Sequence, residues 1–251
     1  MQLQTLARDC LYLNWALPLA EAPELPAPLR YEVHPWQGQE YVFVSALLFR
    51  LSGLRPKALP CLRLSYPQMN LRLYVLDEAG LPSVLFLRML VPLWIVPVSR
   101  LMVRQPASAA SFAYPPPTLA PDGDGWHWRV ACWHRALSVA GRVASPQIGV
   151  GPDLGSWERT VEYFRQRPRG YVLWYRRLRE IHVSRPPVEV WPAAVEVENA
   201  ELVAESLRGV TPEILQTPHS AWISPEIPFL FELGKAEEPT LARRSVPAPS
   251  C

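Results

Sequence analysis

The chain has 251 residues, 49% of them hydrophobic, and a formal net charge of +2. That much apolar side chain supports a substantial core and excludes a chain that stays unfolded. So small a charge excludes a whole-molecule field drawing the protein onto nucleic acid or an anionic membrane.

The 29 prolines are spread along the whole length, so long uninterrupted helices are not expected. Between them run short stretches rich in Val, Leu, Tyr, Trp and Phe, the residue types of strands. Residues 10–22 end an apolar run in Ala20-Glu21-Ala22, which superficially resembles a secretory cleavage site. However, Asp9 cancels Arg8 and Asn14 interrupts the run, so the segment reads as a first strand. Strands are expected near Leu29–Trp36, Gln39–Leu51, Gln68–Leu76 and Ser83–Leu90, with Gly38 in a tight turn. Residues 81–98 are long enough to suggest a membrane span. Arg88 would then sit mid-bilayer and Pro92 and Pro97 would break the helix, so a buried strand, turn and connection fits better and no membrane partner is expected.

Further strands are expected near Leu101–Arg104, Ser111–Tyr114 and Trp126–His134. Pro115–Gly125 and Ser145–Gly155 read as loops, and neither is flanked by a shift in composition. Ser156 suits a helix N-cap, Glu158 its first turn and Pro168 its end. Trp157, Val161 and Phe164 then share one apolar face. The remaining strands fall near Tyr171–Tyr175, Arg179–Ser184, Val188–Trp191, Ala193–Val197 and Phe229–Leu233. From Ala236 apolar periodicity is absent. The chain therefore divides into one β domain over 1–235 and a disordered tail over 236–251. Cys10, Cys61, Cys132 and Cys251 lie far apart, as reduced thiols of a cytoplasmic protein do.

The most informative strand is Gln68–Val75. Side chains alternate, so Gln68, Asn70, Arg72 and Tyr74 share one face and Met69, Leu71, Leu73 and Val75 the other. The plain reading puts the polar face in water. The sharper one turns it into a barrel, where Arg72 meets an anionic ligand or a buried carboxylate while Asn70 and Tyr74 supply hydrogen bonds. A second cluster, Tyr163–Arg179, interleaves Arg165, Arg167, Arg169, Arg176, Arg177 and Arg179 with aromatics, the composition of single-strand or RNA contact. Adjacent Arg176 and Arg177 point to opposite faces of a strand, and the near-neutral charge gives little attraction, so a solvated surface is favoured and nucleic acid is not.

The sequence holds no GxSxG elbow, P-loop or GxGxxG turn, and no cofactor is implied. Cys132 and His134, two apart, make half a metal site at best, and no metal is expected. His34, His127, His134, His182 and His219 are scattered and read as packed or surface residues. Glu180, Glu189, Glu196 and Glu198 lie towards the C-terminus. Glu196 and Glu198 would share a strand face as an acid/base pair, with a solvated face as the default.

Several blocks occur in an order that resembles the YqjF-like family of uncharacterised bacterial proteins. They are LNWALP, QEYVFVSALLFRLSGLRP, YPQMNLRLYV, GSWERTVEYFRQRPRGYVLWY, SRPPVEVWPAAVEV and HSAWISPEIPFLFEL, spread over Leu11–Leu233. That family is similar to the acetoacetate decarboxylase-like superfamily. The resemblance implies a mainly antiparallel sheet curled into a closed cone or barrel around a cavity, and favours an inward-facing Gln68 row. Decarboxylases of that superfamily form a Schiff base through a lysine that directly follows a proline. The comparable pattern here, Ile95-Val96-Pro97-Val98, ends in a residue without an amine. Lys57 and Lys235 are the only lysines, and both fall in connecting or tail sequence.

Three functions follow as expectations. The first is binding of a small anionic or aromatic organic molecule through Gln68, Asn70, Arg72 and Tyr74. The second is an enzyme acting on a small carbonyl compound, with Glu189 or Glu196 beside Arg72. The third is RNA or protein binding through 163–179. The sequence assigns neither a ligand identity nor an oligomeric state.

Overall fold

The structure is a computed structural model that describes residues 2–58, 61–103, 105–114, 125–175 and 177–233. The expected tail over 236–251, Lys235 and most of the Pro115–Gly125 loop lie outside the described residues. Among the described residues, fourteen strands and a few short helical segments make it mainly β. In order they are β1 (Gln2–Pro18), β2 (Arg30–Tyr31), β3 (His34–Trp36), β4 (Gln39–Pro56), β5 (Leu64–Leu76) and β6 (Pro82–Val91). A helical turn, α1 (Val96–Val98), leads to β7 (Ala107–Ala109), β8 (Ser111–Ala113), β9 (Trp126–Cys132) and β10 (Arg135–Val143). Helix α2 (Trp157–Arg165) precedes β11 (Arg169–Trp174), β12 (Arg177–Ser184) and β13 (Trp191–Asn199), and α3 (Glu201–Leu207) precedes β14 (Ser220–Leu233).

Pairing closes a ring in the order β1, β4, β5, β6, β11, β12, β14 and back to β1. All these neighbours are antiparallel except β6 and β11, whose parallel seam runs from Arg169 opposite Ser83 to Val172 opposite Phe86. The sheet is thus mostly, not wholly, antiparallel. Strands β13, β10, β9 and β8 continue beyond the ring as a flap, attached where Trp191 and Pro192 pair with Ile223 and Trp222 of β14.

This arrangement leaves the ring strands with two buried faces. On β5, Met69, Leu71, Leu73 and Val75 pack with Trp128, Leu137, Val139 and Leu202, which belong to the flap and α3. The opposite face of β1, β4, β5 and β14 gathers Tyr12, Phe43, Leu47, Tyr74, Trp222 and Phe229 around Val161 and Phe164 of α2. That second cluster fills the ring interior. β1 serves both cores through a bulge: Asp9 has φ 51°, and the register with β4 slips between Arg8 and Leu11. Ala7 faces the interior before the slip, and Cys10 and Tyr12 face it afterwards, because one extra residue inverts the alternation.

Helix α2 forms as expected. Ser156 Oγ accepts from Arg159 N at 3.3 Å, and Val161 and Phe164 are buried. Other expectations change. The expected strand at Leu101–Arg104 does not form over its described part, Arg104 lying outside the described residues: Ser99–Val103 is a wide helical turn continuing from α1, where Pro97 favours helical entry over extension. No strand forms at Val188, because residues 185–190, with Pro186 and Pro187, make an irregular strap and β13 begins at Trp191. Among the described residues no helix is long and apolar enough to cross a membrane.

Phe164 seals the interior: it is fully buried and makes edge or tilted contacts with Phe43, Tyr74 and Trp222. Replacing it by alanine should cost about 3–5 kcal/mol, the usual range for a buried phenylalanine. Urea denaturation of wild type and Phe164→Ala would measure this, and a cost below about 1 kcal/mol would place α2 outside the cooperative core.

Candidate functional site

The polar row of β5 is enclosed: Gln68, Asn70, Arg72 and Tyr74 are all buried. The row nevertheless divides into a hollow half and a packed half. Gln68 and Asn70 line an internal cavity of about 80 Å³, walled by Phe49, Phe86, Met89, Ile181 and Phe231 and closed by Ile95, Val98 and Ser99 of the α1 region. That is room for one small organic molecule or a handful of waters. Among the described residues no charged side chain lines it. Gln68 Nε2 donates to Asn70 Oδ1 at 2.7 Å. This leaves Gln68 Oε1 as an acceptor and Asn70 Nδ2 as a donor for whatever occupies the space. Tyr66, also in the wall, is held protonated because burial pushes its phenol well above the ordinary value, so it too can donate.

The packed half is knitted to three other elements. Arg72 Nη2 donates to Tyr74 Oη at 3.1 Å. Ser45 Oγ lies 2.9 Å from Tyr74 Oη and also contacts Asn14 Oδ1, while Phe164 O is 3.2 Å from Tyr74 Oη. A hydroxyl has one proton to give. Asn14 Oδ1 takes that of Ser45, so Tyr74 shares its own between Ser45 Oγ and Phe164 O. Asn14 Nδ2 donates to Ser220 O and Ser220 Oγ, and Ser220 Oγ lies 3.4 Å from His219 Nδ1. His219 Nε2 is 3.0 Å from Pro152 O, which can only accept, so the ring carries its proton on Nε2. Burial holds the imidazole below its ordinary pKa.

Arg72 differs from the other deeply buried arginine. Arg167 pairs with Glu32 at 3.1 Å and lies over the Tyr163 ring at 4.2 Å. Arg72 has Tyr74 Oη and the faces of Tyr12 and Tyr74, at 5.5 and 5.8 Å, but among the described residues no carboxylate at ion-pair distance. Its Nε has no hydrogen-bond partner. A guanidinium left so is costly to bury, and ring faces recover only part of that cost.

The remaining candidates are not gathered here. Glu189, Glu196 and Glu198 are exposed; Glu189 accepts from Trp191 Nε1, and Glu198 contacts His127 at 2.8 Å. Neither Glu189 nor Glu196 forms an ion pair with Arg72, so the acid/base arrangement is not assembled. The Tyr163–Arg179 segment is less solvated than expected. Arg167 is buried, Arg165 donates to Val188 O, and Arg169 pairs with Asp77 and Glu180, leaving Leu173, Tyr175 and Arg177 exposed. His134 is exposed and Cys132 Sγ accepts from Arg88 Nη2. Lys57 is exposed just beyond β4. Sequence reasoning passed over Tyr66, Ser99 and Gln105 of the cavity wall, because nothing local marks residues that converge from separate elements.

A family described as an uncharacterized conserved protein, DUF2071, matches residues 4–228. No curated protein matches the chain. Among solved structures, the enduracididine biosynthesis enzyme MppR, complexed with the condensation product of pyruvate and imidazole 4-carboxaldehyde, superposes with a TM-score of 0.62 at 12% identity, covering 94% of this chain and 89% of that one. MppR complexed with pyruvate gives 0.58 at 12% identity, over 94% and 90%. An acetoacetate decarboxylase-like enzyme from Sphingomonas wittichii RW1 gives 0.58 at 15% identity, over 94% and 93%. At such identities the likeness shows the fold.

The buried imidazoles imply a pH dependence. Burial lowers the pKa of His219 and of His34 from 6.5. Above that value both folded and unfolded states hold neutral rings. As pH falls through it, the unfolded chain takes up protons that the folded one refuses, so stability drops. Urea midpoints should therefore fall between about pH 7.5 and 5.5, and fall less in His219→Gln, which keeps a donor for Pro152 O. Equal slopes for the two proteins would remove His219 from this account.

Proposed function

The chain belongs to the DUF2071 family of uncharacterized conserved proteins, and from that premise we propose that it binds a small organic molecule inside the ring. The molecule has an apolar or aromatic body and an uncharged polar end. The observation that carries this reading is the cavity, uncharged among the described residues, in which Gln68 Oε1 and Asn70 Nδ2 have no hydrogen-bond partner among those residues and lie among Phe49, Phe86, Met89 and Phe231. An acceptor beside a donor suits an amide, a carboxylic ester or a hydroxyl-bearing ring, and aromatic walls supply most of the affinity. Ligands in the MppR structures are in keeping with small-molecule binding on this fold.

Arg72 favours a second reading, in which the ligand is a carboxylate. It stands two residues beyond Asn70 on the same face, without a counter-ion among the described residues and with Nε unpaired. A ligand reaching past Asn70 would place its anionic end there and relieve the buried charge. Schiff-base chemistry forms no part of either reading: Val98 stands in the cavity wall without an amine, and Lys57 is exposed.

Thermal shifts with matched neutral and anionic compounds, benzamide against benzoate at the head of a panel, separate the two. A ligand at about a hundredfold its Kd should raise the Tm by several degrees. Under the first reading Asn70→Leu abolishes the response to amides, whereas Arg72→Met preserves it. Under the second, carboxylates give the larger shift and Arg72→Met removes it. Responses that survive Asn70→Leu and Arg72→Met alike would move the ligand out of the ring.

A further inference from the structure

Outside the ring lies an open groove of about 1300 Å³ between α2, the end of β12 and the 185–190 strap. Three arginines line it, and of these Arg167 pairs with Glu32 while Arg165 and Arg185 do not pair with a carboxylate among the described residues. Arg165 ends α2, and Arg185 opens the strap. Arg185 Nη1 donates to Tyr12 Oη at 2.8 Å and its Nη2 to the carbonyl oxygen of Arg165, while Arg165 Nη1 donates to Val188 O at 3.2 Å. These bonds anchor both guanidinium groups in the wall of the groove, near enough for Arg185 to act electrostatically on Arg165, yet neither has a carboxylate at ion-pair distance among the described residues. Arg165 Nε is buried without a hydrogen-bond partner. Burial and, next, the nearby Arg185 cation push the Arg165 pKa down.

Two other arginines at this end of the molecule are answered. Arg167 has Glu32, and Arg169 has Asp77 and Glu180. The groove also contains the carboxylates Glu158, Glu162 and Glu232, which keep their charge: they accept from the neutral donors Ser156, Gln166 and Gln2 and do not pair with Arg165 or Arg185. One wall is apolar, made by Trp157, Val161 and Val190.

We propose that Arg165 and Arg185 form a second binding site, distinct from the internal cavity, for an organic oxyanion. Its carboxylate or phosphate head bridges the two guanidinium groups, and its apolar body lies on Trp157 and Val190. Two anchored cations with no carboxylate at ion-pair distance among the described residues are preorganised for a bridging anion, which would relieve the repulsion between them. Planar guanidinium forks favour a head with two or more oxygens.

The test uses calorimetric titration at low salt with inorganic phosphate, phenyl phosphate and benzoate. Phenyl phosphate should bind more tightly than inorganic phosphate, because the wall adds apolar contact. Arg165→Gln should weaken it about tenfold or more, and Arg165→Lys by less. Asn70→Leu should leave it unchanged, which keeps this site independent of the cavity reading. Arg185→Gln also loses the Tyr12 bond, so wild-type protein supplies a readout that needs no variant: the Arg165 Nε–H resonance should move downfield on titration with phenyl phosphate. Absence of binding, a stationary Nε–H signal, or equal affinity in Arg165→Gln would each overturn the proposal.

Discussion

The hydroxyl of Tyr74 is the point on which the ring interior depends. It meets Arg72 of its own strand, Ser45 of β4 and the last turn of α2 within about one hydrogen-bond length of each. Because closure of the sheet removes the polar face of β5 from water, every group on that face needs a partner from inside the protein. Tyr74 supplies the first of these, and the chain of donors through Ser45, Asn14 and Ser220 carries the satisfaction on to His219. Helix α2 is thereby fixed at one end of the ring by a polar bond as well as by Phe164, and its position defines the outer groove.

The other end of the same strand is built differently. Gln68 and Asn70 satisfy each other with one bond and keep two functions in reserve, in a space that α1 closes with Ile95 and Val98. A single strand therefore supports a rigid, filled section and a small hollow one. Rigidity beside a hollow is what a binding site needs, because a lining whose rotamers are already set loses little freedom when a ligand enters. Arg72 sits at the junction, packed against Tyr12 and Tyr74 yet next in the row to the cavity wall.

Much of this is legible in the residues. Alternation in Gln68–Val75 identifies both the strand and the face that turns inward, and Ser156, Glu158 and Pro168 bound α2 closely. Burial of the opposite face of β5 is not legible, since its cover comes from the flap and α3, far along the chain. Arg135–Val143 escapes notice because Ser138, Ala140 and Gly141 dilute its strand character, and seven-residue α3 is too short to display a helical period. Arg167 reads as one more solvated arginine until Glu32, from a distant segment, is placed beside it. The cavity is a volume left over between side chains of several strands, and no local pattern encodes a volume.

The ring is laced unevenly. β1 and β4 run alongside each other for most of their length, whereas the β11–β12 hairpin is joined to β6 from Arg169 to Val172 and to β14 from Ile181, opposite Leu233, to Ser184, opposite Leu230. Ile181 and Val183, which wall the cavity, belong to that hairpin. Loosening these two brief seams would swing a panel outward and expose the hollow, with β1, β4 and β5 undisturbed. The wall of the hollow and the briefest stitching of the ring thus coincide in one piece of sheet.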